Sequence, residues 1–391
     1  MRILHVINDL RRSSGGAPKA VLELCQAFSR LGVETALFYG SCAAPEENVS
    51  HLANDGTQVF RAPLISLPGL GILRSTDSLK QAVAWADIVV LHGIYQGVVL
   101  SAARLCRRSN KPYFVMPHCS ITKSVRERKR LRNSIIDVAY HRRYLEAASG
   151  LIFTNSAEER LSEKPDSPST IVPLGVHASD YAIAPDAADQ VRRRYEIPPH
   201  HSILLFLGRV TWKKGVTVLL DAFPRAQLPS PSTLILAGPI DREMRPAMQS
   251  AIQMRNPDRR VLYVGTADRA MRDQLYSAAD ASVLPSFAEN YGYAAVESLL
   301  YGTPLIVSRG VAIWERLAST GAAFICEPNA RELQLMIEEW GGRRRNLSQR
   351  HGLREVAIQE FGWEAQEPAL SRAINRLHEL GGVLPTASAT Q

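Results

Sequence analysis

Short apolar runs alternate with helix-length amphipathic runs along almost all of the 391 residues, and this alternation constrains the fold more than any other feature. Apolar runs fall at 2–8, 35–39, near 59–60, and at 88–92, 113–116 and 151–154, with helix-like runs between several of them. Runs so uniformly apolar suit strands buried on both faces, and strands separated by helices pair in parallel. Residues 172–176 read as a last strand and turn, and the polar, alanine-rich residues 179–189 as a connection. A second series then begins, with strands at 202–206, 234–237, 261–264, 281–284 and 305–307 and helices at 216–223 and 269–279. No sequence repeat relates the halves, yet the architecture repeats. The expectation is an α/β chain of two doubly wound domains, 1–180 and 190–364, with a closing helix at 365–380 and a frayed tail.

The totals narrow the class. A chain of 391 residues exceeds the usual size of one core, so two domains are the default. No apolar run approaches the ~20 residues of a membrane-spanning helix. The N-terminal ten residues are too short and too soon polar for a signal peptide and read as a first buried strand. Five scattered cysteines without a Cys-x-x-Cys spacing point to a reducing cytoplasm and to no structural zinc. The net charge of +8 is concentrated at 123–143, where eight Lys or Arg face only Glu127 and Asp137. Val125, Leu131, Ile135, Ile136, Val138 and Tyr140 give that segment an apolar side. It reads either as a basic amphipathic helix on an anionic membrane surface or as a solvated face beside an acidic ligand. Nucleic acid ranks below both, because no recognised module or aromatic ladder accompanies the charge.

Ligands of doubly wound sheets bind beyond the carboxyl ends of the strands. Gly15-Gly16, His92 and His118 fall at such ends in the first half. A tight turn is the bland account of the glycines, and a satisfied structural histidine that of His92 and His118. In the second half, GRVTWKKG follows a strand and carries Arg209 and Lys214 between Gly208 and Gly215. A guanidinium and an ammonium at such a loop match two adjacent phosphates, although a solvated basic turn has the same composition. Residues 280–308 read as strand, loop, helix, turn and strand, with Glu289 on the loop, Glu297 about two turns down the helix, and Gly292 between them. Both carboxylates can then face one ligand across a helix N-terminus, which suits an oxyanion. Two ordinary surface glutamates are the alternative. Taken together, the cations, carboxylates and helix N-terminus specify a nucleotide-sugar site.

At this point the chain resembles a GT-B fold, family 4-type (glycosyl transferases group 1) retaining glycosyltransferase, over nearly its whole length and most strongly at 204–328. Glu289 and Glu297 meet the family's Glu-x7-Glu pattern, and Gly208, Arg209, Lys214 and Gly215 its Gly-Arg-x4-Lys-Gly pattern. The resemblance implies two Rossmann-like domains facing across a cleft, the first for the acceptor and the second for the nucleotide sugar, with the closing helix returning to the first. It implies that Arg209 and Lys214 hold the donor diphosphate, Glu297 the ribose hydroxyls, and Glu289 with the nearby amides of Asn290, Tyr291 and Gly292 the transferred sugar. His118 matches the histidine placed beside that sugar, and Gly15-Gly16 the loop under the diphosphate; Gly238 and Gly265, which end two strands, complete the donor-binding set. Cys119 departs from the glycine many relatives have there, and Asn290-Tyr291 from a common Gly-Phe. Gly69-Leu70-Gly71 is not a dinucleotide fingerprint, since Arg74 follows where glycine is needed.

The implied activity is transfer of a hexose, with retention, from a UDP- or GDP-sugar to a saccharide or lipid-linked acceptor in cell-surface polysaccharide or glycolipid biosynthesis. No Asp-x-Asp occurs, which fits metal-independent chemistry without a cofactor. His118, Arg209, Lys214 and Glu289 are the expected catalytic residues, and the expected location is the cytoplasm or the inner face of its membrane. A sugar-nucleotide epimerase or hydrolase on the same fold, and a non-catalytic sugar-nucleotide-binding subunit, are the rival readings.

Overall fold

The structure, a computed structural model, describes residues 1–11, 16–41, 49, 52, 55–67, 70–94, 96–123, 125, 142–254, 256–321, 323–343 and 350–382. The chain forms two compact units, one of Met1–Gly175 with Gln366–Gln391 and one of Val176–Ala365.

The first unit is built on β1 (Arg2–Ile7), β2 (Glu34–Ser41), β3 (Gln58–Leu67), β4 (Leu70–Leu73), β5 (Ile88–His92), β6 (Tyr113–Met116), β7 (Gly150–Phe153) and β8 (Ser169–Ile171). They lie in the order β4-β3-β2-β1-β5-β6-β7-β8. Seven strands are parallel, and β4 alone pairs antiparallel, with β3. Alternation along the strands divides the core. Leu4, Val6, Val89 and Leu91 point into one apolar cluster, while Ile7, Leu37 and Tyr39 meet Val21 and Cys25 of the helix Gly16–Arg30 on the other face. Burying each such aliphatic side chain contributes about 1.5–3 kcal/mol.

The second unit carries β9 (Ser202–Leu207), β10 (Ser232–Ala237), β11 (Arg259–Tyr263), β12 (Ala281–Leu284), β13 (Leu305–Ser308) and β14 (Ala323–Cys326). All are parallel, in the order β11-β10-β9-β12-β13-β14. Chain order reverses at β9, with β10 on one side and β12 on the other, which places the topological switch point between β9 and β12. The corresponding reversal in the first sheet lies between β1 and β5.

Several elements differ from the sequence reading. β3 runs over ten residues where only 59–60 read as apolar, because Gln58, Arg61 and Ser66 interrupt the pattern. Leu70 and Gly71 lie in the β4 strand, with Gly71 opposite Ser66. The final helix is Trp363–Leu380, with Pro368 inside it, and starts slightly before the expected 365. The connection read at 179–189 belongs to the second unit and includes the start of the helix Ala187–Tyr195. Most of the basic segment 123–143 lies outside the described residues. No helix among the described residues is long and apolar enough to cross a membrane.

Candidate functional site

In the second unit, the loops after β9 and β12 meet at the switch point. The first loop ends at Gly215, whose φ of 68° is left-handed and whose Cα lies so close to the next loop that a Cβ would come 1.9 Å from the Pro285 carbonyl oxygen. The Phe287 N–H donates to the Lys213 carbonyl at 2.9 Å, and the Trp212 and Phe287 rings lie 6.2 Å apart. This stitching brings the Lys214 ammonium onto the Glu289 carboxylate as an ion pair. Glu289 is itself held by backbone: its N–H donates to the Gly310 carbonyl at 2.9 Å, and its carbonyl accepts from Ala312 at 3.0 Å. A cation and a carboxylate that the sequence separates by 75 positions therefore share one place on a rigid frame.

Arg209 leaves the end of β9 on Gly208, and its Nε donates to Asp241 Oδ1 at 2.8 Å, with Nη2 also 2.8 Å from that oxygen. The glycines at the strand ends are packed on one another. A Cβ on Gly238, at φ 138°, would lie 2.1 Å from the Gly208 carbonyl oxygen, and the Gly238 N–H donates to the Gly265 carbonyl at 2.7 Å. Gly208, Gly238 and Gly265 thus line the carboxyl ends of β9, β10 and β11.

Gly292, at φ 69°, is the N-cap of the helix Tyr293–Leu300 and has no side chain to cap it, which leaves the first N–H groups to other acceptors. Tyr291 is buried against Tyr293 and Phe361, with ring centroids 4.9 and 6.3 Å away, so its ring serves packing. Glu297 is buried on the same helix among hydroxyls: Tyr181 reaches one carboxylate oxygen at 3.4 Å and Tyr276 the other at 3.5 Å. Burial works against the charge of nearby Arg272, and Glu297, with Tyr301 and Asp273, outweighs it and holds the guanidinium above its ordinary value. Burial, then the Glu297 charge, push the Tyr276 phenol well above its usual range, so it remains a donor.

In the first unit, Gly16 opens the helix Gly16–Arg30, exposed, and Gly15 lies outside the described residues. His118 and Cys119 follow β6 with φ of 49° and 59°, a left-handed pair that side chains with a Cβ adopt at a cost. Glycine would relax the Cys119 position, which gives a physical reason for the departure noted in the sequence to matter. The pair is clamped by Glu158, a fully buried carboxylate on the helix Ser156–Leu161. One Glu158 oxygen accepts from the Cys119 N–H at 2.7 Å, and the other from the Thr154 N–H at 2.9 Å and the Thr154 hydroxyl at 3.0 Å. His92, buried at the end of β5, joins His118 to His5 of β1 through ring nitrogens at 3.0 and 2.9 Å.

Asp241, Glu158, Tyr181 and Tyr276 escaped the sequence reading. Asp241 carried a usable signal, a carboxylate three residues past the glycine that ends β10. Glu158 carried another, since Asn155 three residues earlier forms a helix N-cap, its side chain accepting from the Glu158 N–H at 2.8 Å. The tyrosines carried none, because nothing local marks a residue that reaches Glu297 from 116 positions away.

Comparison with known proteins bears on both units. The family model described as glycosyl transferases group 1 matches residues 188–354, and the glycosyl transferase 4-like domain matches 15–175. The chain is 25% identical over 334 residues to the D-inositol 3-phosphate glycosyltransferase of Jonesia denitrificans, covering 75% of each chain. It is 31% identical over 117 residues to an uncharacterized glycosyltransferase of Methanocaldococcus jannaschii, a match that spans 30% of this chain and only 30% of that relative's length. Among solved structures, Anabaena Alr3699/HepE in complex with UDP-glucose superposes with a TM-score of 0.73 at 17% identity, covering 96% of this chain and all (100%) of that one.

Proposed function

The chain belongs to the GT-B, family 4-type glycosyltransferases, and from that premise we propose that it transfers a hexose, with retention, from a nucleoside diphosphate sugar to a saccharide or lipid-linked acceptor. The observation that carries the proposal is the contact between Lys214 and Glu289, which joins a phosphate-matching cation to a hydroxyl-matching carboxylate at the switch point of the second sheet. The HepE complex with UDP-glucose supports a nucleotide-sugar donor of that kind. Cell-surface polysaccharide or glycolipid assembly is the proposed setting.

Arg209 and Lys214 neutralise the negative charge that grows on the diphosphate as the bond from the anomeric carbon to the phosphate oxygen breaks. They do so without a metal or cofactor in the proposed reaction. Asp241 orients the Arg209 fork, and the N–H groups opened by Gly292 add donors at the same end of the sheet. Glu289 grips the hydroxyls of the sugar, and Glu297 is assigned to the ribose. Gly16 with Gly15 and His118 keep the roles that the resemblance implies, under the diphosphate and beside the sugar. Front-face displacement delivers the acceptor hydroxyl from the side the diphosphate leaves, so configuration is kept; the acceptor proton passes to the departing phosphate oxygen. The basic segment 123–143 is proposed to rest on an anionic membrane, with salt-sensitive liposome binding as its test.

The decisive experiment is a panel of UDP- and GDP-sugars screened first for thermal stabilisation and then for product with a lipid-linked saccharide. Retained anomeric configuration in a new glycoside supports the proposal. Turnover of the donor without acceptor would favour an epimerase or hydrolase, and binding without turnover a non-catalytic subunit.

A further inference from the structure

Three imidazoles cross three neighbouring strands of the first sheet. His5 on β1 is in register with Val90, and His92 lies two residues on, so both face the side covered by the helix Gly16–Arg30. His92 in turn is in register with Met116, and His118 follows two residues later. His5 Nδ1 lies 2.9 Å from His92 Nε2, and His92 Nδ1 lies 3.0 Å from His118 Nε2.

Each of these contacts needs one donor and one acceptor, and a neutral imidazole offers one of each. The chain therefore has two arrangements, running in opposite directions. Its far end distinguishes them. His5 Nε2 is buried and has no hydrogen-bond partner among the described residues, with the Phe28 ring packed against the imidazole at 5.3 Å between centroids. In one arrangement that atom is a bare lone pair; in the other it carries a hydrogen with nothing to accept it. A buried N–H without an acceptor is the rarer and costlier orphan. The first arrangement follows: His5 donates to His92, and His92 donates to His118.

We infer that His92 and His5 are positioning residues that hold His118 in the tautomer with its hydrogen on Nδ1 and a lone pair on Nε2. Burial keeps both partners neutral, pushing His5 down to about 3 and His92 well below the ordinary imidazole value, where a charge on His5 or His118 would also oppose a second one on His92. The functional consequence rests on the proposed transferase reading: His118 meets a sugar oxygen as a hydrogen-bond donor and not as a base.

The test is spectroscopic and uses the full chain with nitrogen-15 histidine, reading long-range nitrogen–proton correlations with signals assigned through His118→Gln. The wild-type protein should show His118 Nε2 without a proton and Nδ1 with one. That pattern should persist in His92→Gln, whose amide can donate to the same lone pair, and give way to a mixture of tautomers in His92→Leu. A proton on His118 Nε2 in the wild type would overturn the inference without any variant, as would an unchanged His118 pattern in a folded His92→Leu. The spectra need neither donor nor acceptor, so a failure here is separable from a failure of the transfer assay.

Discussion

Lys214 and Glu289 form one ion pair, 17% and 16% exposed, between the loops that close β9 and β12. A diphosphate that takes Lys214 must compete with that carboxylate, and a sugar that takes Glu289 must compete with that ammonium. A donor carrying both groups satisfies the two at once. On the proposed donor-site reading, the pair thus favours the intact nucleotide sugar over either fragment.

Glu289→Gln should separate binding from transfer. Removing the carboxylate releases the ammonium, so UDP or GDP should bind at least as tightly by calorimetry, while transfer falls on the order of a hundredfold. Equal losses in binding and transfer would sink the division of roles between the two side chains.

Asp241→Asn should weaken the donor site without touching the donor. The amide keeps the size of the side chain but loses the charge that orients Arg209 Nε and Nη2. Donor KM should rise on the order of tenfold, as when one charge-assisted hydrogen bond is lost. Arg209→Ala should cost on the order of a hundredfold or more in kcat, with thermal stability little changed. Steady-state kinetics on the two variants checks both, and a normal kcat for Arg209→Ala would contradict the leaving-group assignment.

Cys119→Gly should be more stable than Cys119→Ala by about 1 kcal/mol, the reverse of the usual order, because only glycine adopts the left-handed backbone freely. Glu158→Gln should cost about 3 kcal/mol, since its amide nitrogen would face donors that the carboxylate now satisfies. Urea unfolding measures both, and Cys119→Ala as the more stable of the pair would show that the φ of 59° carries no strain.

Stability should decline in mild acid because of the buried histidines. His5 and His92 have folded values below the ordinary imidazole value of 6.5, His5 at about 3. As pH falls through that window, the unfolded chain takes up protons that the native chain does not hold. The stability contributed by neutral burial is whole above the unfolded value and is lost toward the folded one, at about 1.4 kcal/mol per pH unit for each group. Urea midpoints at about pH 7.5 and about pH 5.5 should differ less in His5→Phe than in the wild type. An identical pH dependence in the two proteins would refute the assignment.

The strands of both sheets were legible where they are buried on both faces, as in β5 and β9, because no polar residue interrupts them. β3 was not, since Gln58, Arg61 and Ser66 sit in a strand that tertiary pairing imposes against local preference. Arg209, Lys214, Gly208 and Glu289 stood out because their types and spacing fit a phosphate and sugar site. Asp241, the tyrosines around Glu297, and the linkage of His5 to His118 depend on which strand lies beside which. That adjacency is absent from any local window, although the parity of His5, His92 and His118 in register becomes readable once the strand order is known.

The backbone at the boundary of the second unit has a consequence of its own. The Val176 N–H donates to the Phe361 carbonyl at 3.0 Å, and the Trp363 N–H donates to the Val176 carbonyl at 3.3 Å. The first and last segments of that unit are therefore fastened to each other, a strand's width apart. Seen from the first unit, the whole of Val176–Ala365 is a long excursion whose two feet stand together. A segment with that property can be exchanged as one cassette between relatives, carrying the proposed donor site with it, without any connection having to be lengthened.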